Sequence, residues 1–319
     1  MLVNGLNAKC RESGIAFEGG HTGGAPATRV APSHAARPGS AEARDIGWSQ
    51  SDTSAMTEYT LALSEAEVGR YRLMAANALR LEATQLRAAG VVPGAVVADV
   101  GCGPAAMSVE LAAEVGPTGR VIGIERDERA LATARSLVEG SGVANVEVRA
   151  GTATETGIEP GSVDVAMMRH VLAHNGGHER SIVDHLATLP RAGGTVYLVD
   201  VDLTALRMID ADPELDDLAE RYARFHAMRG NDPRMGLRLG HLLRAAGLEV
   251  ASFTGSYTII EAPPGMRPPA WAAREAMLAD GAATIEDVER WDAAFARSDA
   301  AATRPLIFAP SFVAVGRKP

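Results

Sequence analysis

Residues 95–106 read Ala95-Val96-Val97-Ala98-Asp99-Val100-Gly101-Cys102-Gly103-Pro104-Ala105-Ala106. An apolar run leads to an acid, then to a glycine turn, then to helix formers. A buried strand that breaks this way leaves bare backbone N–H groups at the carboxyl end of a sheet, where open α/β folds bind nucleotide-like ligands. Two ligand classes fit. Gly101-x-Gly103-x-x-Ala106 satisfies a loose dinucleotide fingerprint, and a lone match of that kind is unspecific. Asp99, two positions before the first glycine, favours the other class. A carboxylate at the loop mouth repels a pyrophosphate, whereas it attracts a sulfonium cation that carries an α-amino group. On this stretch alone, an ordinary βα turn with glycines for tight geometry would look the same.

The flanking sequence narrows the choice. Gly119–Glu125 is a second apolar run that ends in an acid. It lies roughly 20–25 residues after the glycine loop, the spacing at which a strand-end carboxylate grips ribose hydroxyls. A third short strand, Val146–Ala150, precedes Gly151-Thr152-Ala153, and a fourth, Val163–Met168, runs into Arg169-His170-Val171-Leu172-Ala173-His174. Leu189–Gly194 then leads into Thr195–Asp200.

In this order, over residues 70–250, DVGCGP, VIGIE, RHVLAHN and LPRAGGTVYLVD resemble the class I S-adenosylmethionine-dependent methyltransferases, in the ubiquinone/menaquinone-biosynthesis (UbiE-like) branch. The resemblance implies an α/β fold: a Rossmann-like, doubly wound, mostly parallel seven-stranded sheet with helical lid insertions. It implies S-adenosyl-L-methionine as cofactor and methyl donor. It places Asp99, Gly101 and Gly103 around the methionine part, Glu125 on the ribose, Thr152 and Ala153 by the adenine, and Arg169 and His170 at the mouth of the fourth strand. Two positions depart from the family pattern. Ala105 stands where a third glycine is usual, and Thr152 where an aspartate is usual.

Composition bounds the partners. The 319 residues are 46% hydrophobic with a net charge of −9, which supports a sizeable core and argues against a nucleic-acid binder with a basic face. No run reaches membrane-spanning length and no signal peptide is evident, so a cytoplasmic enzyme is expected. Cys10 and Cys102 are too few for a disulfide framework. The partner expected is a small-molecule acceptor, with no nucleic acid, no membrane and room for a homodimer.

Residues 1–55 are rich in Gly, Pro, Ser and Ala without a sustained period, and this composition predicts a disordered tail. Met56 opens the patterned part, so the methyltransferase domain is expected over 56–319. From Ser64, apolar positions Val68, Tyr71, Leu73, Ala75, Ala78, Leu79 and Leu86 predict an amphipathic helix that stops at Gly90. Tyr71 is a candidate donor-pocket residue, with core packing as the plainer role. Arg126 is a candidate for the adenine face or an exposed residue at a helix start. Strands near 96–100, 120–125, 146–150, 163–169 and 194–200 alternate with helices near 106–115, 127–140 and 178–189, the rhythm of a parallel sheet covered on both faces. Helix 236–246 and strands 249–260 and 306–316 follow. The segments 203–235 and 263–304 carry Tyr222, Phe225, Trp271 and Trp291 and are expected to form a lid over an apolar acceptor pocket.

A hydroxyl acceptor must lose a proton, and His is the natural base near neutral pH. His170, His174, His178 and His185 are half of the chain's eight histidines. His174 follows the fourth strand and Asp200 ends the neighbouring fifth, so His174–Asp200 is the predicted base and its orienting group. His170 is the second candidate and Asp202 the alternate carboxylate. No tight ligand spacing such as H-E-x-x-H occurs, so no metal is expected.

Overall fold

A computed structural model describes residues 65–319. The expected N-terminal tail lies outside the described residues. The core is a sheet in which five parallel strands run in the order β3 (Val146–Ala150), β2 (Arg120–Glu125), β1 (Val96–Val100), β4 (Val163–Arg169), β5 (Pro190–Val201). β8 (Leu306–Arg317) adds antiparallel to β5, and β7 (Glu249–Glu261) runs antiparallel along the outer edge of β8. The sheet has eight strands where seven were expected. The extra one, β6 (Arg207–Ile209), pairs with Leu306–Phe308, beyond the Ser311–Arg317 stretch that pairs with β5. With β7 occupying the other edge of β8, β6 continues the line of β5, so eight strands fill seven columns.

Successive strand residues alternate between two cores, as the pleat requires. Ala98, Val100, Ile122, Ile124, Ala166, Met168, Val196 and Leu198 pack under α4 (Glu179–Thr188) and α6 (Leu239–Ala245). Val97, Val121, Val165, Met167, Tyr197 and Val199 pack under α1 (Glu65–Ala89) and α2 (Ala106–Val115). Burial on both faces is why these strands read as continuous apolar runs. The strand order reverses between β1 and β4, and the crevice at that switch point is where such sheets bind ligands.

α1 ends at Gly90, whose φ of +103° suits glycine. Leu73, expected on its apolar face, is 51% exposed. The buried line runs instead through Ala75, Ala78, Glu82, Leu86 and Ala89. The two insertions pack on each other. Leu215, Leu218, Tyr222 and Phe225 of α5 (Pro213–Met228) join Ala270 of α7 (Pro269–Ala272), Met277 of α8 (Arg274–Ala279) and Trp291 and Phe295 of α9 (Ile285–Ala300) in a third apolar core. Asp212 caps α5 by accepting from Glu214 N–H, and Thr284 and Asp287 form a reciprocal capping box on α9. α3 (Glu128–Ser141) is capped by Asp127.

Candidate donor and acceptor site

The glycine loop sits at the carboxyl end of β1. Gly101 has φ +75° and Gly103 φ +54°, a region open to glycine at little cost. A Cβ on Gly101 would lie 2.6 Å from Val171 Cγ2 on the loop after β4, so glycine is required there sterically as well. The loop is held down by Gly101 N–H and Cys102 N–H, both donating to Ile124 O at 2.8 and 3.0 Å. Ala105, the departure from the family glycine, adopts φ +60°, ψ 22° as N-cap of α2, a conformation costing an L-residue about 1–2 kcal/mol. Cys102 packs with Ala105 and Ala134, and burial pushes its thiol well above the usual range. It is a small packing residue, not a nucleophile.

Two acids flank the loop. Asp99 is 2% exposed and accepts from Ser108 Oγ at 2.6 Å. Burial raises its pKa, opposed by the Ser108 bond and the charge of Arg169. Glu125, at the end of β2, accepts from Gly103 N–H at 2.9 Å through Oε2 and from Arg126 and Asp127 N–H at 2.8 and 2.9 Å through Oε1. Thr152 closes the turn after β3: its Oγ1 accepts from Glu155 N–H at 3.0 Å, and Ala153 is half-buried beside it. The loop and both acids thus share one end of adjacent strands. That donor set suits an ammonium and sulfonium near Asp99 and a vicinal diol near Glu125.

Arg169 is placed differently from the expectation. Its Nη1 and Nη2 donate to Glu82 of α1 at 2.6 and 2.9 Å, so its guanidinium is committed to a buried bidentate pair instead of the ligand side. Tyr197 OH donates to the same Glu82 Oε2 at 2.7 Å. Together these bonds moor α1 to β4 and β5. Tyr71 is half-buried against the α1–α2 core, with the Arg70 guanidinium 4.8 Å from its ring centre.

The predicted His174–Asp200 pair does not form. Asp200 is 1% exposed and its two oxygens accept from Ala173 N–H at 3.0 Å and Val201 N–H at 2.9 Å. Burial outweighs those donors and lifts its pKa to about 7. Its carboxylate therefore shapes the loop that carries His174 from below, through the backbone. Asp202 likewise serves local structure, accepting from Thr204 N–H and Oγ1. His170 takes φ +55° at the end of β4. Burial and the charge of Arg169 hold it down to about 3, while burial and Arg126 hold His174 down to about 4. Both imidazoles are neutral at pH 7. His185 bonds Thr156 Oγ1 at 2.9 Å and His178 is exposed ahead of α4; neither joins the crevice.

Four residues that matter here escaped the sequence reading. Glu82 and His226 each interrupt an otherwise apolar helical stripe, on α1 and α5, and that interruption is the signal for a buried polar role. His226 lies 4.8 Å from the His174 ring, centre to centre. Tyr197 and Asn231 carry no such signal. Of the lid aromatics, Trp291 and Phe225 fill the lid core, and Tyr222 meets His226 edge-on at 4.5 Å.

Comparison with known proteins agrees with this geometry. Residues 92–247 match the family model described as a methyltransferase domain. The chain is 31% identical over 130 residues to the arsenite methyltransferase of Halobacterium salinarum, covering 41% of this chain and 33% of that protein. It is 30% identical over 115 residues to the demethylmenaquinone methyltransferase of Bacillus cytotoxicus, covering 36% and 48%. The chain spans less than half the length of these curated relatives. A crystal structure of a candidate methyltransferase from Bacillus halodurans C-125 shares the fold, with TM-score 0.50 at 18% identity, over 74% of this chain and 98% of the other. With its acids and glycine loop at the switch point of this sheet, the chain is similar over residues 92–247 to the class I S-adenosylmethionine-dependent methyltransferases.

Proposed function

We propose that this chain transfers the methyl group of S-adenosyl-L-methionine to a small-molecule acceptor held between the ends of β4 and β5 and the lid helix α5, with a hydroxyl oxygen of a specialised metabolite as the atom methylated. The observation that carries it is the pair of strand-end carboxylates, Asp99 and Glu125, on either side of a glycine loop. The bound donor supplies an already activated methyl on positive sulfur, so the protein's task is orientation and handling of one proton. Asp99 draws the ammonium end and Glu125 the ribose end. Neutral His170 and His174 stand at the β4 mouth, able to receive the acceptor's proton. The net charge of −9 and the apolar lid favour a metabolite over nucleic acid.

Calorimetric titration with S-adenosylhomocysteine and with NADH separates this function from nucleotide-dependent redox chemistry. S-adenosylhomocysteine is expected to bind and NADH to be silent; the reverse overturns the proposal. Mass spectrometry of the denatured protein, searching for co-purified S-adenosylhomocysteine and acceptor, then identifies the substrate.

A further inference from the structure

On α5, His226 is 1% exposed, and its Nε2 is the one buried side-chain polar atom among the described residues without a hydrogen-bond partner. The other ring nitrogen is accounted for. Asn231 Oδ1 accepts from Gly176 N–H at 2.9 Å, which fixes the direction of the amide. Asn231 Nδ2 therefore donates to His226 Nδ1, at 3.1 Å. A neutral imidazole that accepts at Nδ1 carries its proton at Nε2. Burial, with the neighbouring His174 and Arg229, holds this ring down to about 3, so it is neutral at pH 7. The unpartnered atom is thus an N–H donor, and a single tautomer is imposed by a backbone amide two steps away.

His226 packs against the loop that follows β4. The His174 ring on that loop lies 4.8 Å from the His226 ring, with Tyr222 at 4.5 Å and Phe225 at 5.7 Å. The Asn231–Gly176 link ties this corner of the lid to the same loop, and the backbones there are in contact: a Cβ on Gly176 would lie 2.0 Å from Gly230 O. Buried donors in native proteins have acceptors, and an orphan asks for one from outside the chain. Arg70 is paired with Glu67 at 2.7 Å, and Tyr222 feels Asp200 and Glu67 as well as Arg70, so these charges offset one another. The directional feature of this corner is the N–H donor itself, which suits an oxygen that gains negative charge as it gives up its proton.

We infer that His226 Nε2–H donates a hydrogen bond to an oxygen of the methyl acceptor, and that the acceptor is accordingly a phenol or enol, whose oxygen is acidic enough to arrive as, or become, an anion here. This rests on the methyl-transfer reading of the site. It also removes a difficulty within that reading. A weakly basic His174 suffices when a second imidazole stabilises the oxyanion.

The test uses the full chain saturated with S-adenosylhomocysteine and 4-nitrophenol as probe, whose phenolate band reports ionisation. Wild type is expected to bind the probe and to lower the pH at which the band appears. His226→Phe keeps the ring and removes the donor, and should bind the probe about tenfold more weakly or worse, with S-adenosylhomocysteine affinity unchanged. Asn231→Asp keeps the Gly176 bond and leaves His226 in place, but draws the proton to Nδ1. At about pH 9, where the ring is neutral, it should show the same loss without any truncation of the core. Imidazole nitrogen NMR should find the Nε2–H tautomer in wild type. Equal probe affinity in all three proteins, no probe binding by wild type, or an Nδ1–H tautomer each overturns the inference while leaving the donor site intact. Failure to bind S-adenosylhomocysteine overturns the functional reading itself and this inference with it.

Discussion

Glu82→Ala should be the most damaging single change outside the glycine loop. Glu82 accepts two bonds from Arg169 and one from Tyr197, and both ion-pair side chains are only 12% exposed. Truncation strands a guanidinium whose desolvation is already incurred and leaves a buried phenol without its acceptor. Breaking one side of a buried pair costs about 3–5 kcal/mol. For a domain of this size each kcal/mol lowers Tm by about 2–4 °C, so a fall of about 6–20 °C is expected. The assay is thermal and urea unfolding of wild type, E82A, R169M and the E82L/R169M double variant. The double variant should recover the part of the loss that comes from the stranded charge, because two apolar side chains replace an ion pair at little cost, while the Tyr197 hydroxyl stays unpaired at about 1–3 kcal/mol. S-adenosylhomocysteine affinity should fall in E82A as well, since the mooring of α1 lies beside Asp99. A Tm change under about 2 °C in E82A, or strictly additive losses in the double variant, would refute the reasoning.

Stability should fall steeply in mild acid. His170, His174 and His226, held down to about 3, 4 and 3 against 6.5 unfolded, contribute stability that is present above pH 6.5 and lost as pH falls toward their folded values. Asp200, raised to about 7 from 3.8, runs the other way, contributing stability at low pH that is lost as pH rises through 7. Between pH 6.5 and 4 the unfolded chain therefore takes up about two more protons than the folded one, up to about 2.7 kcal/mol per pH unit; urea midpoints against pH check this, and His226→Phe should shallow the slope. Gly176→Ala must push apart two backbones that a Cβ would bring to 2.0 Å, so about 1–3 kcal/mol of destabilisation is expected, with weakened acceptor binding and near-normal S-adenosylhomocysteine affinity by calorimetry. Asp99→Asn keeps an acceptor for Ser108 Oγ but removes the charge, and should weaken S-adenosylhomocysteine binding about tenfold or more; unchanged affinity would detach Asp99 from the ammonium.

The parallel half of the fold was legible because each signal was local. Asp99, Gly101 and Glu125 sit at strand ends fixed by apolar runs, and β2, β3 and β4 fall at the residues that the runs predict. β6 escaped because a three-residue strand takes its pairing from Leu306–Phe308, far along the chain. The His174–Asp200 dyad failed for a related reason. Sequence adjacency of β4 and β5 brings the two residues to one end of the sheet, but the turn Leu172–His174 presents the backbone N–H of Ala173 to Asp200. A short side chain at a strand end is satisfied by the nearest donor, and that donor is main chain. Side-chain pairing across a loop depends on the turn's dihedrals, which composition does not encode.

The replacement of that dyad changes how the proton must be handled. A carboxylate aimed at His174 would raise its basicity, as in a relay. Here Asp200 faces amides, and nothing anionic offsets the burial of His174 and the charge of Arg126. A base held near 4 takes a proton from an aliphatic alcohol only at large cost, whereas it needs to move little from an acidic hydroxyl whose anion is already stabilised. In the inferred binding mode, the buried Nε2–H of His226 supplies that stabilisation. On that inference the lid selects by hydrogen bonding as well as shape: an acceptor with an acidic oxygen strengthens its bond to this donor as it loses its proton, a simple alcohol gains little from it, and an apolar ring leaves the buried donor unpaired.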